Sequence, residues 1–544
     1  MSEAVISGAP GLIGGLQLEK RWSLRESARQ RSSEWVRPLP LAVPIIAVAL
    51  AIAATLFSAT HGWLTLYNDA RTHLDIARRV TDGLTPGLAQ LGSVWLPLPQ
   101  LLMAPLTAVE ALWHSGAAGA IVSGAAFVYS SVRMFSLTEA LTGHRLAAWC
   151  AFAVYVTNLN LLYMQSTALD ESLMLACLVA AAYHLTRWTH SHGVGDLVIV
   201  GIATFLGTLT RYDGWGMFAA AGIVVAVWTK LHNRQEGVVQ ANSLLYLFIG
   251  GYGIGLWLLY NLVIFHDPLY FIHSTYSAQA QQAEWAQLGY LPTKGSVVQS
   301  AITLGWAIAD DAGIAVIVAA VLGAACMLLF KPKATVLRRV AILAVLASPI
   351  AFNLLALFIG QTTIRVPQLR PFQIFNLRYG LESLPLLAVC AGSAAIVIKG
   401  ALARIPAIAV ACSLSLLMVS ATPITLAEGL YGVSSYANKE VVAASAFIDH
   451  HYHGGHILAD DFQAGPFIFG SGLTLREFVT VGFHPYYENA MAHPADNVRW
   501  IVTYTGDSIY DAVRMHPQRF SQYKLVFQAA PISLYELQTP QKQG

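Results

Sequence analysis

Apolar runs of bilayer-crossing length recur from residue 39 to residue 422, and no other feature restricts the fold of this chain so strongly. A helix needs roughly 20 apolar residues to cross a hydrocarbon core about 30 Å thick. Lipid offers no partner to a backbone N–H or C=O, so such runs must be helices that pair their own backbone. About eleven segments qualify: 39–58, 117–137, 146–163, 171–188, 197–209, 214–228, 244–265, 312–330, 340–360, 381–398 and 405–422. The shorter ones need help from flanking residues or local bilayer thinning. The chain is 56% hydrophobic and only 11% charged over 544 residues, against about a quarter charged in soluble domains. A net charge of +2 gives no basic footprint for nucleic acid. The expected fold class is an α-helical polytopic membrane protein.

Five cysteines, Cys150, Cys177, Cys326, Cys390 and Cys412, all fall inside apolar runs. They read as small core residues, not as a disulfide framework or a thiolate metal site. The leader, 1–38, carries Lys20, Arg21, Arg25, Arg29, Arg31 and Arg37 ahead of the first apolar run. It is too long and polar for a cleavable signal peptide, and its charge predicts a cytoplasmic N-terminus.

One stretch decides the topology. Residues 95–113 are apolar but begin WLPLPQ, and Pro105 interrupts them again. If this stretch lies along the interface instead of crossing, one set of loops collects Arg145, Arg187, Lys230, Arg234, Lys331, Lys333, Arg338, Arg339, Lys399 and Arg404. That is a consistent positive-inside pattern. The opposite loops, 59–116, 266–311 and 361–380, are then extracytoplasmic, and 39–425 forms one membrane domain. Residues 426–544 return to ordinary polarity. Helix signals at 441–452 and 508–516 alternate with strand signals at 456–459, 500–504, 524–528 and 533–537. They predict a small extracytoplasmic α/β domain.

The unusual polar residues all fall on the outer side in this topology, and such convergence points to one site. In YNDARTHLDIARR (67–79), Asn68 is placed to cap a helix, Asp69 suits its first turn, and Gly83 to end it. Asp69 and His73 share one stripe; Arg71, Asp75, Arg78 and Asp82 form another, readable as i, i+3 and i, i+4 ion pairs. QSTALDE (165–171) ends in Asp170 and Glu171, which serve equally as helix-start carboxylates or as site acids. LTRYDGW (209–215) offers Arg211 and Asp213, either a pair bracing a turn or an anion site at the outer lip. FHDPLYFIHSTYSAQAQQ (265–282), with Tyr276, reads as an aromatic belt or a pocket wall. NLRYGLE (376–382) offers Arg378 and Tyr379. With Arg365 and Arg370 upstream, the outer arginines suggest an anionic partner such as a lipid phosphate. The histidines of DHHYHGGH (449–456) lack a diagnostic metal-ligand spacing, and no P-loop, GxGxxG or HExxH pattern is present.

These stretches, in this order, resemble the C-type glycosyltransferase fold (GT-C), whose members include protein O-mannosyltransferases and lipid A aminoarabinose transferases. The resemblance runs from about 67 to 385, through LLYMQSTALDE, LTRYDGW, FHDPLYFIHSTYSAQAQQ and NLRYGLESLP. It implies transfer of a sugar from a polyprenyl-phosphate donor to a protein, lipid or glycan acceptor on the outer face, with inversion. It implies Asp69 as general base. The chemistry asks for the same parts, since a glycosyl phosphate already has a good leaving group: Asp69 takes the proton, His73 orients or assists, Glu171 binds acceptor or shapes the cleft, and Arg211 and Arg378 hold the phosphate, with Asp213, Tyr276 and Tyr379 as further substrate-binding candidates. Members often carry an acidic pair where this chain has Asn68–Asp69. The departure removes one ligand for a divalent metal, leaving Asp69 as a possible ligand and no certain cofactor. Membrane lipids, not nucleic acid, are the remaining expected partners. The competing expectation is a transporter or lipid flippase. It calls for charges near the bilayer midplane and internal repeats, whereas the charges here gather at one face. A third is an inactive relative acting as a scaffold.

Overall fold

A computed structural model of the chain describes residues 38–538, except 234, 275–276, 288, 290, 330–332, 401, 417–421, 436–437 and 462. The basic leader, Arg234, Lys331 and Tyr276 therefore lie outside the described residues.

Among the described residues each apolar segment falls on one helix or on helices in succession. Ala42–Thr60, Ala117–Thr142, Asp213–His232, Glu236–Phe265 and Leu377–Val397 are long and apolar enough to cross a membrane. Two bent pairs can each add one span: Val297–Ala312 with Ile314–Leu329, bent by 99°, and Thr335–Leu346 with Ser348–Ile359, bent by 43°. Residues 95–113 form two short helices, Leu98–Thr107 and Glu110–His114, not a single span. The interval 266–311 holds more than loop. Its Val297–Ala312 helix is capped by the Ser296 hydroxyl, which accepts from the Gln299 N–H. It ends at Asp310 and Asp311, and Gly313 at φ +90° turns the chain. Small residues let the central helices touch backbone to backbone. A Cβ on Gly323 would run into the Cys390 carbonyl, and one on Gly392 into the Ala147–Ala151 turn.

The tail forms a five-stranded sheet in the order β2-β1-β3-β5-β4, from Ile457–Leu458, Phe478–Val479, Trp500–Tyr504, Tyr523–Ala529 and Ile532–Leu537 in chain order. β1 runs parallel to β2 and β3; β5 is antiparallel to β3 and β4. The helices Asn438–His451 and Ser508–Met515 match the tail's helical signals. β2 has no counterpart among the strand signals of the sequence, whereas the equally short β1 falls inside the one at 456–459.

This domain docks on the Asn68–Arg79 helix, and the docking revises two expectations. The helix begins at Asn68 itself; Tyr67 precedes it in extended conformation, and no side chain caps it. Tyr67 is anchored instead by its hydroxyl, which donates to the Thr425 carbonyl at 2.7 Å. Of the second stripe, Arg78 pairs with Asp82, just past the end of the helix, at 3.0 Å. The neighbouring charges reach outward: Arg79 pairs with Asp461 at 2.7 Å, and Asp82 with Arg476 at 2.8 Å. Arg71 donates to the Thr65 carbonyl at 2.8 Å.

Asp75 is buried and accepts from the Trp113 indole N–H at 3.0 Å. Burial pushes its carboxyl up to about 7, against the pull of Arg79, the Trp113 bond and Arg71. Its unfolded value is about 3.9. Between those two values the folded protein binds more protons than the unfolded chain, so stability falls as pH rises from about 4 to about 7 and is flat above. Asp75→Asn keeps the Trp113 bond and removes the charge. It is expected to stabilise the folded protein by on the order of 2 kcal/mol at pH 8 and by little at pH 4. Melting curves in detergent at both pH values check this; an equal effect at both would contradict it.

Candidate active site

The outer-loop residues meet at one end of the bundle around two arginines. Arg211 sits in the turn between the Val194–Thr208 and Asp213–His232 helices. The turn is tight because Gly214 lies against the Gly207 carbonyl, where a Cβ would clash. The Trp215 indole donates to the Thr208 carbonyl at 3.0 Å and closes it. Every guanidinium nitrogen of Arg211 faces a carboxylate. NH1 is 2.8 Å from Asp170 Oδ1 and 3.2 Å from Glu171 Oε1, Nε is 3.2 Å from Asp213 Oδ2, and NH2 is 2.8 Å from Glu382 Oε1. The expected Arg–Asp turn pair is present, but it is one contact of four.

Arg378 opens the Leu377–Val397 segment. Its Nε donates to Glu171 Oε1 at 2.8 Å and its NH2 to Asp69 Oδ2 at 2.6 Å. Its NH1 stands 4.0 Å from Glu428 Oε1. Glu171 therefore bridges both arginines. The Arg378 guanidinium lies 5.2 Å from the Tyr67 ring and 5.5 Å from the Tyr379 ring, and Tyr379 also faces Arg211 at 4.7 Å. Glu428 accepts the backbone N–H groups of Asn376, at 2.5 Å, and Leu377, at 3.1 Å, and so holds the turn that delivers Arg378.

Asp69, His73, Glu171, Arg211, Asp213, Arg378 and Tyr379 thus belong to one cluster or its immediate support. They are not equally accessible. The Asp69 side chain is 38% exposed, whereas Glu171, Asp213 and Glu382 are 1–2% exposed. His73, one turn along Asp69's helix, is buried; the Gln100 amide donates to its Nδ1 at 2.6 Å and the Trp95 ring lies tilted against it at 4.7 Å. Burial lowers the His73 pKa, against the pull of Asp170 and Asp69, so the ring is neutral and ties the Leu98–Thr107 helix to the site. For Asp170 burial acts upward, but Arg211, His73 and Arg378 outweigh it and hold the carboxyl below its ordinary range. Six carboxyls, Asp69, Asp170, Glu171, Asp213, Glu382 and Glu428, face two guanidiniums, an acidic excess at the cleft.

Glu382 and Glu428 were not singled out from sequence. Glu428 carried a usable signal: it is the single acid between Glu382 and Glu440, a lone charge in an apolar stretch. Among the described residues no three or more His, Cys, Asp or Glu side chains are arranged to hold a metal ion. Asp69 Oδ2 is taken by Arg378 and Glu428 by backbone N–H groups, whereas Glu171 Oε2 and Asp213 Oδ1 are buried without a hydrogen-bond partner among the described residues. Of the 449–456 histidines, His453 pairs with Glu536 at 3.0 Å and His451 lies against the Phe447 carbonyl at 2.8 Å.

Beside the cluster runs an apolar cavity of about 430 Å³, between the Leu98–Thr107, Ala117–Thr142, Glu171–Ser191 and Val194–Thr208 helices. Leu102, Ala125, Tyr129, Leu173 and Leu206 are among its walls. Leu173 follows Glu171 by two residues and Leu102 follows Gln100 by two, so cavity and cluster share two helices. The far end of the bundle is basic. Arg338 donates to Thr189 Oγ1 at 3.0 Å, at the opposite end of the helix that Glu171 begins, and Arg339 donates to the Leu141 carbonyl at 3.1 Å.

A polytopic helical bundle with a charged mouth and a small appended α/β domain is the architecture of the C-type glycosyltransferase fold, and the chain has that fold. It is shared with ArnT from Cupriavidus metallidurans, solved bound to undecaprenyl phosphate: TM-score 0.55, 12% identity, covering 90% of this chain and 97% of that one. The Archaeoglobus fulgidus oligosaccharyltransferase, solved with zinc and sulfate, is also similar, with TM-score 0.48, 13% identity, and coverage of 88% of this chain and 71% of that one. No protein-family model matches the sequence, and no curated protein sequence matches it.

Proposed function

We propose that the protein is an inverting glycosyltransferase that moves a sugar from a polyprenyl-phosphate donor to an acceptor hydroxyl on the extracytoplasmic face. The observation that carries this reading is an arginine–carboxylate cluster that has one accessible carboxylate and whose Glu171 begins a helix that also walls an apolar cavity of about 430 Å³. The fold shared with ArnT, itself seen with undecaprenyl phosphate, supports it.

In this reading Asp69 takes the proton of the acceptor O–H. The acceptor oxygen forms a bond to the anomeric carbon, and the bond from that carbon to the donor phosphate breaks. The electron pair leaves with the polyprenyl phosphate. Arg378 stabilises that charge, since its NH1 has no carboxylate within hydrogen-bond distance. Arg211, Asp213 and Glu171 act behind it, fixing Arg378 and Tyr379 in place, and His73 positions the helix that carries Asp69. Tyr276 remains a proposed wall of the pocket. The prenyl chain lies in the cavity. The N-terminus is cytoplasmic and residues 426–544 extracytoplasmic; the basic far end of the bundle favours this orientation.

Sealed right-side-out vesicles carrying radiolabelled polyprenyl-phosphate sugars test the reading. Transfer to a membrane-impermeant acceptor is expected without permeabilisation. Ala125→Trp, which fills the cavity from an exposed position, is expected to raise the donor KM by about tenfold or more, the loss of on the order of 1.4 kcal/mol of apolar contact. Transfer seen solely after permeabilisation would refute the orientation, and an unchanged donor KM would refute the cavity's role.

A further inference from the structure

A second cleft, of about 400 Å³, opens between the membrane domain and the C-terminal domain. Its membrane-side wall is Thr65 and Arg71; its far wall is Ser445, Asp449, Phe469 and the Gly470–Gly472 turn. None of these residues belongs to the arginine–carboxylate cluster. Arg71 is two positions beyond Asp69, which puts it on the opposite side of the same helix. The two sites therefore share a helix but face different ways.

The polar groups here are less fully paired than those of the cluster. Arg71 uses its Nε on the Thr65 carbonyl at 2.8 Å, and among the described residues no carboxylate lies within ion-pair distance of its guanidinium. Asp75, one turn on, acts on this guanidinium from beyond ion-pair distance, and a bound oxyanion would complete it with paired hydrogen bonds. Asp449 stands exposed across the cleft, its Oδ1 3.7 Å from where a Cβ on Gly472 would sit. Gly472, at φ +70°, keeps that wall open. The Ser445 hydroxyl makes one long bond, 3.4 Å to the Phe467 carbonyl. The volume lies in the range of small-molecule sites and has room for a sugar ring with its substituent.

We infer that this cleft binds a saccharide bearing an anionic substituent, its oxyanion on Arg71 and its hydroxyls on Asp449 and Ser445. That the ligand is a saccharide rests on the proposed glycosyl transfer, in which the acceptor must be held apart from the donor cavity. The C-terminal domain thereby acts as the acceptor-holding half of the enzyme.

The test uses the full chain in detergent micelles and saturation-transfer NMR titrations with glucuronate, glucose 1-phosphate, glucose, inorganic phosphate and alanine. Both anionic sugars are expected to bind at least tenfold tighter than the other three. Arg71→Gln and Ala446→Trp are each expected to weaken them at least tenfold. Ala446 is an exposed lining residue outside the hydrogen-bond network, so its variant decides the matter if Arg71→Gln does not fold. Equal binding of glucose would overturn the role of Arg71. Equal binding of phosphate or alanine would overturn the saccharide assignment. Unaffected variants would overturn the location. In transfer assays Arg71→Gln is expected to raise the acceptor KM with kcat retained. Intact saccharide binding alongside a transfer reaction indifferent to Asp69 would refute the catalytic reading and leave this site standing.

Discussion

Asp69→Asn is expected to lower sugar transfer by about a hundred- to ten-thousand-fold while the protein folds normally. That span is the usual contribution of a positioned general base. Asn keeps the size of the side chain and can accept from Arg378 through its amide oxygen, so the 2.6 Å contact survives as a neutral one. What it loses is the capacity to take a proton. Asp69 is the residue to test because it alone combines membership of the cluster with a side chain 38% exposed. Glu171 has the same Arg378 contact but is 1% exposed and cannot meet an acceptor hydroxyl. Transfer should be measured with donor and acceptor saturating, so that the change is read in kcat. A variant that transfers at the wild-type rate would remove Asp69 from the mechanism.

Arg211→Met is expected to cost stability, not rate. The side chain is 12% exposed and is shared by Asp170, Glu171, Asp213 and Glu382, which are themselves 1–11% exposed. Removing one partner of a buried ion pair typically costs about 3–5 kcal/mol, because it strands the other charge without compensation. Here Asp170, Asp213 and Glu382 lose their arginine together, and Glu171 keeps only Arg378. Against a total stability of about 5–15 kcal/mol, the variant should be largely absent from detergent extracts on size exclusion. Adding Asp213→Asn and Glu382→Gln removes two of the stranded charges and should recover part of the folded yield. A single Arg211→Met variant that extracts like the wild type would show that the carboxylates do not depend on it. Arg211→Lys should fall between, since an ammonium cannot span four carboxylates as a planar guanidinium does.

How much of this was legible beforehand depended on range along the chain. Helix positions were read well because hydropathy and periodicity are local. The same holds for β3, found where expected at Trp500–Tyr504. Short-range chemistry was read less well. Asn68 has the composition of a cap, yet the helix starts there because Tyr67 is tied to Thr425, 358 residues away. The Arg71, Asp75, Arg78 and Asp82 stripe has the spacing of a self-paired helix, yet its own Asp82 pairs with Arg476, and the adjacent Arg79 with Asp461, where the C-terminal domain docks. Residues 297–312 passed as loop because the pair Asp310–Asp311 breaks the apolar pattern at its end, just where the structure bends by 99°.

The amino-acid sequence alone determined that this chain is a helical membrane bundle with a polar α/β tail, and which loops hold unusual charge. Both follow from the cost of placing polar groups in lipid, which each segment meets by itself. Only the tertiary structure decided which charges meet. Arg378 reaches Asp69 across 309 residues and Glu171 across 207. Arg211 draws in Glu382, which no local pattern joins to it. An ion pair depends on a few ångströms of approach, and that approach is set by how helices pack, not by where residues fall in the chain.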